Sequence, residues 1–254
     1  MLRRPGIREL VVFGLAYLLY NAGRWATNGD VDLALANARW VVDFQGGLGV
    51  EHAVQGALDT PVVQWLLSHV YLAAQIVVLP LALLAFYRWR PSLYRPLRTT
   101  VIATWMLALV VYALFPVAPP RLAGVGLADW VSQQSAVALA GHSTLFYNPI
   151  AAVPSLHCGF AFALGIAGAA ATSRPWLRGL ALLWGPLVSL STIATGNHYV
   201  FDLVAGLAVT ALGAAVALTF AARSAGERGG ERRPRAHAEL HKGTREVALD
   251  RLLA

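Results

Sequence analysis

Three short stretches of this 254-residue chain carry residues that can handle a phosphate. In Asn197-His198-Tyr199-Val200-Phe201-Asp202, His198 and Asp202 are four apart and share a helical face. A carboxylate bonded to one ring nitrogen fixes the imidazole tautomer and leaves the other nitrogen free to attack. In Pro154-Ser155-Leu156-His157, proline suits a first helical turn. Ser155 and the free N–H groups of that turn offer donors to an anion, with His157 beside it. In Pro119-Pro120-Arg121, the prolines end a helix and stiffen its exit. They hold Arg121 where a permanently charged, bidentate donor can meet phosphate oxygens. An interfacial arginine or a helix-start histidine is, taken singly, more often structural. The ordered combination points to phosphoryl chemistry.

These stretches lie at the ends of apolar segments. The chain is 57% hydrophobic and 13% charged, where a soluble domain carries about 25% charged residues. Six apolar segments, roughly 7–22, 61–86, 98–116, 154–173, 177–196 and 200–222, approach or exceed the ~20 residues that cross a bilayer as a helix. The expected fold is all-α: a polytopic six-helix membrane bundle over residues 1–222. Residues 31–44, with Trp40, read as an amphipathic helix at the outer interface. Residues 223–254 read as a basic, largely disordered cytoplasmic tail touching anionic lipid. Seventeen of the 20 Lys and Arg residues fall in four regions that six spans place on one side. Both termini are therefore expected in the cytoplasm, and Arg121, His157 and His198 on the extracytoplasmic face of the cell membrane. The net charge of +7 reflects arginines flanking apolar segments, so nucleic acid is not an expected partner. The single cysteine, Cys158, excludes an intramolecular disulfide and a Cys-based zinc site, and is read as packing. No carboxylate cluster suggests a metal, and no cofactor is expected.

At Tyr147-Asn148-Pro149-Ile150-Ala151-Ala152-Val153-Pro154-Ser155-Leu156-His157, at Thr195 to Asp202 and at Pro119-Pro120-Arg121, the chain resembles the type 2 phosphatidic acid phosphatase superfamily. Within it, these motifs, spread over residues 115–206, look like the inositolphosphotransferase-like branch that includes fungal inositol phosphorylceramide synthase. The resemblance implies that His198 attacks phosphorus and forms a phosphohistidine, and that Asp202 orients it. It implies that His157 protonates the leaving alkoxide and later activates the acceptor, while Arg121 and Ser155 hold phosphoryl oxygens. No metal is implied. The chain departs from the superfamily pattern where Leu114, Leu122, Leu156 and Thr192 stand for its lysine, proline, glycine and arginine. Two phosphate-binding cations are thus missing. Either neutral donors such as Asn148, Asn197 and Tyr199 compensate, or the phosphate carries less charge. A phosphodiester carries about one negative charge, a monoester about 1.5 to 2.

The function expected is therefore a lipid phosphatase or phosphotransferase acting on a phospholipid or polyprenyl phosphate in the bilayer. Hydrolysis and transfer differ only in whether water or an alcohol resolves the intermediate, and the motifs do not encode that choice, nor the oligomeric state. An intramembrane serine protease built on Ser155 leaves Arg121 and Asp202 without a role. A non-catalytic scaffold or transporter retaining the fold is the remaining alternative. His69, Tyr71 and Gln75 are read as interhelical hydrogen-bonding residues, and His142 and Tyr147 as surface groups of the loop before His157.

Overall fold

The computed structural model describes residues 5–26, 30–134 and 150–223. Asn148, His142, Tyr147 and the tail from 224 lie outside these residues. Everything regular among the described residues is helical, apart from one isolated parallel bridge between Val117 and Ala151.

Helix α1 spans Pro5–Ala26, α2 Val31–Phe44 and α3 Gly49–Ala57. Helix α4, Pro61–Ala73, runs through a π turn at Ala74–Val78 into α5, Leu79–Trp89. The π turn sits just ahead of Pro80, which has no N–H to give to the preceding turn. Helix α6 is Pro91–Leu114, and α7 is the short Trp130–Gln134. Helices α8, Leu156–Ala170, and α9, Pro175–Ala194, form a hairpin, and α10 spans Val200–Arg223.

Among the described residues, four helices are long and apolar enough to cross a membrane: Pro61–Trp89, Pro91–Leu114, Pro175–Ala194 and Val200–Arg223. Four of the six expected spans thus have the length and composition to cross. Helix α8 has only 15 residues, about 22 Å at 1.5 Å per residue. It starts at Leu156 behind the Ser155 cap and stops at Ala170; ahead of it the chain is extended, with Val117 N–H donating to Ile150 and Ala152 N–H to Val117, each at 3.0 Å. Helix α1 has 22 residues, but Arg8 and Glu9 interrupt its first turns and Asn21 and Arg24 its last.

The spanning helices alternate in direction, so the ends of α6 and α9 meet the starts of α8 and α10 at one end of the bundle. Small residues let them approach closely. A Cβ at Gly206 of α10 would run into the Ser155 carbonyl at the start of α8, and one at Gly165 of α8 would lie 2.7 Å from the Ala181 carbonyl of α9. At the opposite end, α1 is tied to α6: Arg98 donates to both Glu9 oxygens at 2.7 Å and Tyr94 donates to Glu9 at 2.9 Å.

Helix α2 is capped by Asp30, whose carboxylate accepts the N–H groups of Asp32 and Leu33. Its buried face, Ala34, Ala38 and Val41, packs on Val117, Ala118, Ile150, Val153 and Tyr199. Its other face exposes Val31, Leu33, Trp40 and Phe44. The amphipathic helix expected at 31–44 is present with those bounds, and it forms the floor under the residues of interest.

Candidate active site

The end of α9 and the start of α10 are joined by a tight turn. Gly196 sits at φ +72°, the left-handed region open to glycine, and a Cβ there would lie 2.6 Å from the Ala128 carbonyl. The turn ends α9 and starts α10 within five residues, which sets His198 at the mouth of the bundle. His198 Nδ1 lies 3.1 Å from Asp202 Oδ2, and the same oxygen accepts the Tyr199 N–H at 2.9 Å. With the carboxylate as acceptor, Nδ1 carries the ring proton and Nε2 keeps its lone pair. Asp202 is wholly buried and His198 nearly so.

His157 lies one residue into α8. Its ring centroid is 6.0 Å from that of His198, and Tyr71 of α4 stacks on it at 4.1 Å. Ser155 caps α8, its hydroxyl accepting the Cys158 N–H at 3.3 Å, while its own N–H donates to the Asp202 carbonyl at 3.0 Å. The two histidine-bearing helix starts are therefore pinned to each other through main chain. Tyr112 of α6 adds a further tie, donating to the Pro154 carbonyl at 2.9 Å.

Arg121 follows Pro120 in a single 3-10 turn, Pro120–Leu122. Its N–H donates to the Gly196 carbonyl, its Nε to Asn197 Oδ1 at 2.9 Å, and one terminal nitrogen lies 3.4 Å from Asp129. Asn197 thus orients the guanidinium and in turn donates to Thr195. Asp129 also accepts from Ser132 at the start of α7.

The structure brings Arg121, Asn197, His198, Asp202, Ser155 and His157 to one end of the bundle. Tyr199 is also there, yet wholly buried, with its hydroxyl donating to the Ala118 carbonyl at 3.1 Å. Burial, together with the nearby Asp202 and Glu51 carboxylates, holds that hydroxyl above its ordinary pKa, so it stays protonated. Of the three residues expected to hydrogen-bond between helices, His69 instead lies 2.7 Å from the Trp65 carbonyl of its own helix, its ring tilted against that of Trp65. Tyr71 makes the His157 stack. Gln75 Oε1 is buried without a hydrogen-bond partner. Gln75 lines a small, mostly apolar crevice with His157, Phe160 and Trp184.

Sequence reasoning missed a group of polar residues from α3 and its approach. Glu51 is wholly buried, and Gln55 nearly so. Gln55 donates to the carbonyls of Ala128 and Ala194 and accepts the Ala128 N–H, locking α3 to the end of α9. Glu51 accepts the Val200 N–H at 2.9 Å, and Gln45 accepts that of Phe201 at 3.3 Å. In a segment not read as helix, Glu51 and Gln55 look like ordinary loop polarity. Their four-residue spacing was the available signal.

A carboxylate-held histidine, a second histidine and an arginine are thus gathered at one end of an apolar helical bundle. The sequence profile of the PAP2 superfamily matches residues 39–216, and the chain belongs to that family. Membership supports a membrane enzyme of phosphatase type. The fold is similar to the crystal structure of Aquifex aeolicus LpxE, at 18% identity and a TM-score of 0.52, covering 68% of this chain and 94% of that one. No curated protein matches.

Proposed function

We propose that the protein is an integral-membrane phosphatase or phosphotransferase that acts on a phosphorylated lipid at the extracytoplasmic face through a phosphohistidine, without a metal. The observation that carries this reading is the His198–Asp202 pair, held at 3.1 Å and facing His157. His198 Nε2 attacks phosphorus; the N–P bond forms as the P–O bond to the lipid alcohol breaks. Asp202 offsets the positive charge that appears on the ring. His157 gives its proton to the leaving oxygen, then takes one from the acceptor, water or an alcohol. Arg121, oriented by Asn197, holds phosphoryl oxygens together with Ser155. Tyr199 supports the turn from its buried position.

In this reading α1 and α8 join the four long helices to make six spans, residues 1–222 form one membrane domain, and both termini are cytoplasmic. The distribution of arginines supports that orientation. Asp129 bears on the substrate. It shares Arg121, so the cradle's cation is already part-neutralised by a carboxylate. Together with Leu114 and Thr192 at the positions of two cations, this favours a phosphodiester donor and hence transfer.

The test is turnover of a panel of lipid monoesters and diesters by purified protein in detergent without divalent metal, with His198→Ala alongside. Free phosphate from a monoester, lost in the variant, establishes hydrolysis. Variant-sensitive transfer of a headgroup phosphate to an added alcohol establishes transfer. Turnover unaffected by His198→Ala refutes the proposal.

A further inference from the structure

Helix α10 begins beside the reacting histidine, and its first amides are not open to a ligand. Tyr199 N–H goes to Asp202 Oδ2 at 2.9 Å, Val200 N–H to Glu51 Oε1 at 2.9 Å, and Phe201 N–H to Gln45 Oε1 at 3.3 Å. Two of these three acceptors come from the α2–α3 segment, about 150 residues away in sequence. Gln45 also donates to Glu51 Oε1 at 2.8 Å, so the two side chains form one brace.

Glu51 is 1% exposed. Burying a carboxylate is costly unless hydrogen bonds or an opposite charge compensate it. Among the described residues Glu51 has no ion-pair partner within 4 Å. Its compensation is the Gln45 amide and the positive end of the 24-residue α10. Val200, whose N–H it holds, lies midway between His198 and Asp202.

We propose that Glu51 is a positioning residue for the reaction: through the Val200 N–H it fixes the first turn of α10, and so keeps His198 Nδ1 on Asp202. The inference rests on the phosphohistidine reading for its kinetic consequence, though not for its structural one. A nucleophile misplaced by about 1 Å costs on the order of 100-fold in rate. The Gln45–Glu51 brace also makes the interfacial α2–α3 segment part of the site.

Glu51→Ala, Glu51→Gln and Gln45→Ala would be compared with wild type in two measurements on full-length protein in detergent. The first is steady-state turnover of whichever lipid His198 turns over. The second is the ¹⁵N spectrum of ring-labelled histidine, with His198 assigned by its loss in His198→Ala. Glu51→Ala is expected to lower kcat by about 30-fold or more with KM changed less than about threefold. Its His198 ring is expected to change from a single Nδ1–H tautomer to a mixture. Glu51→Gln keeps an oxygen for Val200 and is expected to restore kcat to within about fivefold of wild type and to recover the single tautomer. Gln45→Ala is expected to shift both readouts in the same direction by a smaller amount, and it serves if Glu51→Ala does not fold. An unchanged His198 tautomer in Glu51→Ala, or in Gln45→Ala if the former is unfolded, overturns the proposal, as does a loss in KM alone. If no lipid is turned over in a His198-dependent way, the proposed function fails, while the ring spectrum still decides whether Glu51 positions His198.

Discussion

Replacing Asp202 by asparagine removes one charge and almost no volume from the centre of the site. Asp202 Oδ2 serves both the His198 ring and the Tyr199 N–H, and an asparagine oxygen can take the same place. What asparagine cannot supply is the negative charge facing the ring in the proposed phosphohistidine. With charges about 4 Å apart and an effective dielectric of about 20, that attraction is worth on the order of 4 kcal/mol. At 1.36 kcal/mol per decade, the chemical step should slow by about 10²- to 10³-fold. KM should move little, because the charge on the ring develops after binding. The assay is turnover of the preferred lipid, with thermal unfolding in detergent to show that the variant is folded. The fold should hold, since both hydrogen bonds survive. Asp202→Asn with kcat within about fivefold of wild type would refute the reasoning, because His198 would then need no carboxylate.

Other outcomes follow from the same geometry. Tyr199→Phe should leave the Ala118 carbonyl without its donor and lower stability by about 1 kcal/mol, with turnover within a few-fold, since the hydroxyl is engaged in the core; thermal unfolding and kinetics together check it. Asp129→Asn should free Arg121 for a more highly charged phosphate, so KM for monoester lipids should fall relative to that for diesters. Gly196→Ala should destabilise the protein by about 1 to 3 kcal/mol, because a positive φ and the Ala128 carbonyl both oppose a Cβ, and should raise KM as Arg121 loses its anchor. Arg98→Ala should lower the unfolding temperature through the loss of the Glu9 tie at the far end of the bundle, and leave kcat unchanged.

Much of this was visible in the residues. The four-residue spacing of His198 and Asp202 pointed to their contact, although His198 lies in the turn before α10 and only Asp202 is on the helix; Arg121 sits not at the end of α6, which stops at Leu114, but in the 3-10 turn that follows Pro119. The apolar periodicity of 31–44 marked α2 to the residue, because one face buries alanines and valine and the other exposes Trp40 and Phe44. Span length was less legible. Helix α8 starts at Leu156, and the chain ahead of it pairs with Val117, a contact between segments 34 residues apart that no local pattern reports. Tyr199 looked like a phosphate donor beside His198, yet its hydroxyl is drawn to Ala118 by packing against α2. Glu51 and Gln55 carried only their four-residue spacing as a signal: their meaning comes from main-chain groups of α10 and α9 that lie about 140 to 150 residues away. The branch within the family rests on sequence motifs, for which the fold has no counterpart.

The measurement that bears most directly on the central claim is rapid-quench trapping at alkaline pH, followed by peptide mass spectrometry. Protein mixed with excess lipid substrate should carry a phosphoryl-derived group on His198, chased away by water or by an added alcohol, and absent in His198→Ala. Turnover with no adduct on His198, or an adduct on Ser155 or His157 in its place, would contradict the account.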